Sequence, residues 1–318
     1  MRVRAALLAM SLTSLGAQAA YDQHPKFEQF TQELHSEYGI SADTARHWLS
    51  QAERMDSVLE AISRPAERRL EWHEYRKIFL TDSRIKQGKQ FLQTYAKELE
   101  AAQQKYGVDP AIIAAVIGVE TYYGQRQGSY RVLDSLATLA FDYPKRPLFW
   151  RELKAFFALA EKEQLDLASI KGSYAGAMGY GQFIPTSYLS YAVDADHDGK
   201  RDLWNNPQDA IASVANYFKR HGWRAGELIT VPVTDVKKVP ADMINSKLKP
   251  RFSAGEFRAL GVTIDDQVAD NADATLMQLE AQQGTEYWLG AHNFYVITRY
   301  NHSRLYAMAV FQLSEALQ

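Results

Sequence analysis

No cysteine occurs anywhere in the 318 residues. That removes thiol nucleophiles, thiolate metal sites and disulfides together, and it also rules out a lipid-modified cysteine as an anchor. Charge of one sign is missing as well: 36 Lys and Arg stand against 38 Asp and Glu, a net −2, so nothing points to a partner held by phosphate attraction. The apolar stretch near the start is too short and too mixed to span a bilayer. No H-E-x-x-H occurs, so a zinc protease is not supported, and no glycine loop is followed by Lys-Ser/Thr, so there is no P-loop. Internal repeats and low-complexity linkers are absent too.

What remains is the composition of a folded globular protein, 46% hydrophobic, 23% charged and 12% aromatic. The length fits one large domain or two to three small ones, with enough core to be stable without disulfides. The 18 tyrosines and 6 tryptophans suit a carbohydrate groove, and equally an ordinary core. The opening "MRVRAALLAMSLTSLGAQAA" pairs two arginines with an apolar stretch and ends in an A-x-A site. It reads as a secretory signal over 1–20, which predicts a mature protein that is soluble in the periplasm.

Residues 26–104 read as helices, from apolar residues three and four apart in "HWLSQAERMDSVLEAI" and "SRIKQGKQFLQTYAKELEAAQQKYG", the second stopping at Gly107. Asp109 and Pro110 open a new helix, as N-cap and first helical residue. Residues 149–164 and 207–221 also read as helices. After Trp223, "GELITVPVTDVKKVP", "GVTIDDQVADNADATLMQLE" and "TEYWLGAHNFYVITRY" carry β-branched residues and short apolar runs, which predicts a small, mostly β insertion at 225–288. The tail "SRLYAMAVFQLSEAL" returns to helical spacing.

The stretch "IGVETYYG" at 117–124 stands out, because Glu120 is a single acid ending a helix that is apolar on nearly every face. Three roles fit such a carboxylate: a surface acid where the helix emerges, a buried acid paired with a base, or a general acid kept neutral by apolar surroundings. Further on, "SYAGAMGYGQFIPTSY" at 173–188 sets Gly176, Gly179 and Gly181 just after Gly172. Such glycines admit either a ligand or another backbone at close range. Ser173 and Gln182 supply uncharged polar groups, and Tyr180, Phe183 and Tyr188 flat apolar ones, a mixture that suits a sugar chain.

"DADHDGKRDLWN" at 194–205 follows an EF-hand calcium loop. Asp194, Asp196 and Asp198 take positions 1, 3 and 5, Gly199 the turn at 6, the Lys200 carbonyl position 7 and Asp202 position 9. Position 12 is Asn205 in place of the bidentate Glu, which leaves a solvated acidic turn as the alternative. His197 reads as a surface residue rather than a ligand.

Four segments taken together, "IGVETYYG", "SYAGAMGYGQFIPTSY", "DLWNNPQDAIASVANYFKRHGW" and "NFYVITRYNHSRLYAMAV", resemble family B lytic murein transglycosylases, bacterial cell-wall enzymes with a lysozyme-like core. The resemblance covers most of the chain after about residue 60. It implies that Glu120 is the single catalytic acid, protonating the oxygen between N-acetylmuramic acid and N-acetylglucosamine. The same residue then acts as base toward the muramoyl C6 hydroxyl, so that 1,6-anhydromuramoyl ends form without water. The resemblance also places Ser173, Gln182, Phe183, Tyr217, Tyr300, Asn301, Tyr306 and Tyr75 along the glycan groove. Lys145 and Arg146 stand where the family often has two arginines, and Lys145 is the poorer bidentate partner. Asp209, just inside the next helix, matches a later acid that can complete a structural calcium site. No cofactor is implied for the chemistry itself.

The expectation is therefore a mostly α (α+β) protein. A signal at 1–20 precedes a helical domain at 21–104 and a lysozyme-like core at 105–224 that carries the EF-hand-like loop. The β insertion at 225–288 and a C-terminal return at 289–318 follow. The expected partners are peptidoglycan strands, in the company of cell-wall synthesis or remodelling proteins. The rival readings are a muramidase that uses water and a calcium-dependent peptidoglycan-binding protein without catalysis.

Overall fold

The computed structural model describes residues 20–64, 70–143, 145 and 147–318; Arg146 and all but the last residue of the expected signal lie outside them. The N-terminal part is helical: α1 (Phe27–Tyr38), α2 (Ala42–Leu49), α3 (Asp56–Ser63), α4 (Trp72–Phe79), α5 (Asp82–Thr94) and α6 (Ala96–Tyr106). Side-chain caps start several of them. Ser41 accepts from the Thr44 N–H, Thr81 from that of Arg84, and Glu71 and Glu74 form a capping box on α4.

Two periodic stretches break where a single helix was the simpler expectation. Residues 50–55 leave helical geometry between α2 and α3, where the Glu53 N–H donates to Asp134 and the Met55 N–H to Thr138. The second stretch breaks at Tyr95 (φ −110, ψ 31), whose ring packs 4.7 Å from that of Phe91. Gly107, at φ 74, ends α6 as its sequence suggests.

Helix α7 (Pro110–Thr121) runs through the centre of the molecule. Asp109 accepts from the Ala111 N–H at 2.7 Å, and Pro110 supplies a first-turn residue with no N–H to satisfy. Every residue from Ala111 to Val119 is buried. After α7 come β1 (Tyr130–Arg131), α8 (Val132–Phe141), α9 (Pro147–Glu163), β2 (Lys171–Gly172), α10 (Pro185–Tyr191) and α11 (Pro207–Arg220). The short strands β1 and β2 pair antiparallel, which holds the start of the glycine-rich segment against the end of the loop after α7.

Next in the chain are β3 (Thr230–Val233), β4 (Phe252–Ser253), α12 (Ala254–Ala259), β5 (Asp273–Glu280) and β6 (Thr285–Gly290). The strands form an antiparallel sheet in the order β3-β6-β5-β4. Val233, Phe257, Ile264, Leu276 and Leu289 close a second hydrophobic cluster on one side of it, distinct from the main core. Met277 and Leu279 of β5 point the other way and join the main core.

The segment "TEYWLGAHNFYVITRY" does not behave as one β stretch. Residues 285–290 are strand, but His292–Tyr300 form α13, followed by α14 (Arg304–Leu317). Burial of Asn293, Phe294, Val296 and Ile297 on one side of α13 outweighs the β preference of its Tyr, Val, Ile and Thr. Helices α5, α6, α11 and α14 all pack on α7 or on one another, so the C-terminal helix closes the shell around the central one. No described helix is long and apolar enough to cross a membrane.

Candidate active site

Glu120 is the next-to-last residue of α7, where the buried rod first becomes partly exposed. Its carboxylate Oε1 accepts from the Tyr306 phenol, in the first turn of α14, at 2.7 Å. Burial pushes the Glu120 carboxyl up from the usual range to about 7, and the Tyr306 hydrogen bond acts in the opposite sense. No neighbouring charge contributes to the shift.

The residues after Glu120 explain how the helix stops there. Tyr122 and Tyr123 both adopt left-handed geometry, at φ 53 and 59, a strained arrangement for two bulky residues in a row. Each is held by its surroundings. Tyr123 lies in a slot with Gly118 and Gly88 as walls, since a Cβ on Gly118 would sit 2.6 Å from the ring and one on Gly88 2.2 Å from the phenol oxygen. The guanidinium groups of Arg84, at 4.8 Å, and Arg126, at 5.0 Å, both lie over the Tyr122 ring, and its phenol donates to Ser83.

Thr121 locks α7 to the glycine-rich segment. Its Oγ1 donates to the Tyr180 carbonyl at 2.8 Å and accepts from the Gly124 N–H at 2.9 Å. Gly124, at φ 87, lies so close to the Tyr180 ring that a Cβ there would approach to 2.2 Å. Gln127 extends the contact by donating to the Trp204 carbonyl, and Gln182 donates to the carbonyls of Gln127 and Gly179. Thr121, Gly124 and Gln127 were not singled out in the sequence; in the E-T-x-x-G pattern only the threonine and glycine types hint at them.

Several sequence-nominated residues come together around Glu120. Tyr300 stacks on Tyr306 with ring centroids 6.4 Å apart and planes 7° apart, and its phenol donates to the Gly181 carbonyl at 2.6 Å. Phe183 and Tyr217 back this pair, their centroids 6.0 and 4.7 Å from that of Tyr300. The Tyr217 phenol donates to the Arg299 carbonyl, and its ring stacks on His221 at 3.9 Å. Burial and the nearby Glu120 hold the phenols of Tyr300 and Tyr306 well above their usual pKa, so both stay neutral donors. Tyr75 is near enough to Tyr306 to act on it electrostatically.

The others sit at the margin. The Ser173 hydroxyl accepts from the N–H groups of Ala175 and Ala177, which spends its lone pairs on the loop and leaves its proton free to donate. Asn301 is exposed just past α13, and Lys145 is exposed ahead of α9.

At the loop after α10, the carboxylates of Asp194, Asp196 and Asp209 bring oxygens within 4.8 Å of one another. Asp209 is fully buried and receives the N–H groups of Ala195 and Asp202, while Asp194 Oδ1 is buried with no hydrogen-bond partner. Gly199 at φ 90 makes the turn, donating its N–H to Asp194 Oδ2. Burial pushes the Asp209 carboxyl up, and the charges of Asp196 and Asp194 add to that. Three acids gathered around an unsatisfied oxygen fit a hard divalent cation. Asp198 is exposed and receives the Lys200 N–H, and Asp202 is turned onto the N–H groups of Trp204 and Asn205; neither belongs to the gathered three.

A lone carboxyl raised by burial, facing stacked tyrosines at the end of a buried helix, defines a lysozyme-like enzyme that cleaves glycosidic bonds. The chain belongs to the lytic transglycosylases, in the family B group: residues 22–315 match the family described as "Transglycosylase SLT domain". It is 41% identical over 307 residues to membrane-bound lytic murein transglycosylase B of Escherichia coli K12, covering 93% of this chain and 84% of that one. The fold superposes with a TM-score of 0.89 on the catenated lytic transglycosylase SltB1 of Pseudomonas aeruginosa, at 45% identity and with 93% and 98% of the two chains covered. Escherichia coli Slt35 in complex with calcium gives a TM-score of 0.84 at 42% identity, covering 93% of each chain.

Proposed function

We propose that this lytic transglycosylase uses Glu120 as its only acid and base. The substrate bond is the β-1,4 link between N-acetylmuramic acid and N-acetylglucosamine, and the product is a 1,6-anhydromuramoyl end. The observation that carries this reading is the Glu120 carboxyl itself: burial raises it to about 7, with no charged partner. A carboxyl that titrates there is protonated often enough at neutral pH to donate, and its anion is basic enough to take a proton back. Tyr306 donates to Oε1, which leaves Oε2 the less engaged oxygen for the travelling proton in this reading.

A glycosidase built on two carboxylates holds the second about 5 to 9.5 Å away. Among the described residues no second carboxylate contributes to the Glu120 shift, which favours assistance from the substrate's own N-acetyl group at the anomeric centre. The muramoyl C6 hydroxyl then attacks C1 and returns its proton to Glu120. The bond to the leaving oxygen breaks, a C1–O6 bond forms, and no water is consumed. Ser173, Gln182, Phe183, Tyr217, Tyr300, Asn301, Tyr75, Lys145 and Arg146 line the glycan groove in this reading. Tyr300 supplies a ring, with Phe183 and Tyr217 buried behind it, Ser173 a free hydroxyl proton and Gln182 a carbonyl oxygen.

A structural calcium ion fits the acidic loop, with Asp194, Asp196 and Asp209 as its carboxylate ligands. Asp198, Asp202 and the Lys200 carbonyl are the remaining candidates from the EF-hand pattern. The ion would pin the loop that carries Trp204, to which Gln127 is tied. We take residues 225–288 as an insertion in the catalytic body and 1–20 as an export signal to the periplasm.

The test is mass spectrometry of the soluble products from purified peptidoglycan, with wild type and Glu120→Gln in parallel. Anhydromuropeptides from wild type alone are expected. Products one water heavier would make the enzyme a muramidase, and full activity in Glu120→Gln would remove the acid assignment.

A further inference from the structure

A cavity of about 740 Å³ lies at the seam where the sheet meets the helical body. Its walls come from three places: Arg76 on α4, Gln312 on α14, and the adjoining stretches 232–237 and 285–288 of the insertion. This volume is in the range of small-ligand sites, and seams between packed units are where such sites concentrate. The cavity is separate from the groove residues assigned above, none of which lines it. Tyr75, however, precedes Arg76 on α4 and faces toward Tyr306 electrostatically, so one helix links the two regions.

The wall chemistry is mixed in a particular way. Trp288 gives ring surface, braced edge-on by Phe311 at 6.3 Å, while its strand neighbour Tyr287 turns its ring to the other face of the sheet. Arg76 and Glu286 face each other at 3.9 Å, the outer limit of an ion pair, with about 40% and 34% of their side chains exposed. A pair that loose and that wet contributes little to stability, so exchanging it for ligand charges costs little. Lys237 brings a second cation, which forms no ion pair among the described residues but acts electrostatically on Asp235 in the same wall. Asp235 is already tied down by the hydroxyls of Thr263 and Thr234.

The cavity therefore sets two cations and two carboxylates beside one aromatic face, with Arg76 and Glu286 the more loosely held pair. A neutral sugar chain uses the aromatic face but leaves the charges idle. A short peptide bearing both a carboxylate and an ammonium group uses all of them, and the peptide stems of murein belong to that class.

We propose that this seam cavity is an accessory site for the peptide stem of the glycan strand. Arg76 and Lys237 receive carboxylates and Glu286 receives the ammonium group. The proposal rests on the peptidoglycan reading for its occupant, but not on the role of Glu120.

The test is calorimetric titration of the mature protein with the free tripeptide L-alanyl-γ-D-glutamyl-meso-diaminopimelate, beside chitotetraose as a peptide-free sugar chain. Wild type, Glu120→Gln, Arg76→Ala and Lys237→Glu are compared. Saturable tripeptide binding is expected, unchanged in Glu120→Gln and weakened at least fivefold in Arg76→Ala or Lys237→Glu. Lys237 is exposed, so its variant keeps the test sound if Arg76→Ala folds poorly. Binding that is the same in both cavity variants overturns the proposal, as does no saturable binding to a wild type that still cuts murein. Sensitivity of chitotetraose alone to the two variants overturns the peptide assignment. Retained lysis by Glu120→Gln would sink the catalytic reading while leaving the cavity result to stand by itself.

Discussion

The Tyr306 phenol and the Glu120 carboxylate, 186 positions apart in the chain, meet across 2.7 Å at the junction of α14 and α7. The bond is the main feature that draws the Glu120 pKa downward against burial. Tyr306→Phe should therefore move the alkaline limb of the pH–activity profile above its wild-type position near 7. Loss of one such bond should also lower the maximum rate roughly tenfold. Dye release from labelled peptidoglycan across pH 5 to 9 measures both. A profile that falls in height without moving would assign Tyr306 to substrate contact instead.

Glu120→Gln should abolish turnover, by at least about a hundredfold, and at the same time stabilise the fold at alkaline pH. The sign follows from the shift. A carboxyl at about 7 in the folded protein, against an ordinary value of 4.5, binds more protons folded than unfolded between those values. Its ionisation therefore costs stability as pH rises from 4.5 through 7, in full only above that. The variant should match wild type near pH 4 and exceed it by about 3 kcal/mol at pH 8. Urea unfolding at the two pH values is the measurement, and equal stability at both would contradict the burial argument.

Gly124→Ala should be among the most damaging single-methyl additions in the molecule. The new Cβ meets the Tyr180 ring at 2.2 Å from a residue at φ 87, so overpacking and backbone strain add together. A loss of about 2–4 kcal/mol is expected, with activity falling further than the unfolded fraction explains, because Tyr180 also receives the Thr121 hydroxyl. Thermal unfolding read beside specific activity of the folded fraction separates the two effects.

Calcium should raise the unfolding temperature by a few degrees at 100-fold excess over its dissociation constant, where mass action gives about 2.7 kcal/mol. Asp194→Asn should lose that gain. In chelator the same variant should be no less stable than wild type, because it relieves repulsion felt at Asp209. Scanning calorimetry with and without chelator decides it, and a calcium response retained in the variant would count against the site.

Helix α7 was legible in the sequence because nothing about it conflicts: a cap, a proline at the first position, and apolar residues throughout. Glu120 was legible for the complementary reason, as the one charge in that setting. Tertiary choices were less visible. Helix α13 has the Tyr, Val, Ile and Thr of a strand, and only its packed face makes it a helix. The break at Tyr95 leaves the periodicity almost intact, so the pattern could not mark it. Thr121 was hidden because its use depends on Tyr180, which is distant in the chain. The acidic loop gave its Asp residues in order, but their spacing could not tell that Asp198 and Asp202 turn to local N–H groups while Asp194, Asp196 and Asp209 gather.

The two left-handed tyrosines that follow Thr121 have a mechanical meaning. With Tyr123 seated against two glycines and two arginines over the Tyr122 ring, sliding or turning α7 would break both sets of contacts. Glu120 is mounted on a fixed post. In a reaction where one carboxyl first gives a proton to one oxygen and then takes a proton from another, the repositioning must come from elsewhere. In the proposed reaction it falls to rotation within the glutamate side chain and to the sugar ring, which brings its C6 hydroxyl to the carboxylate.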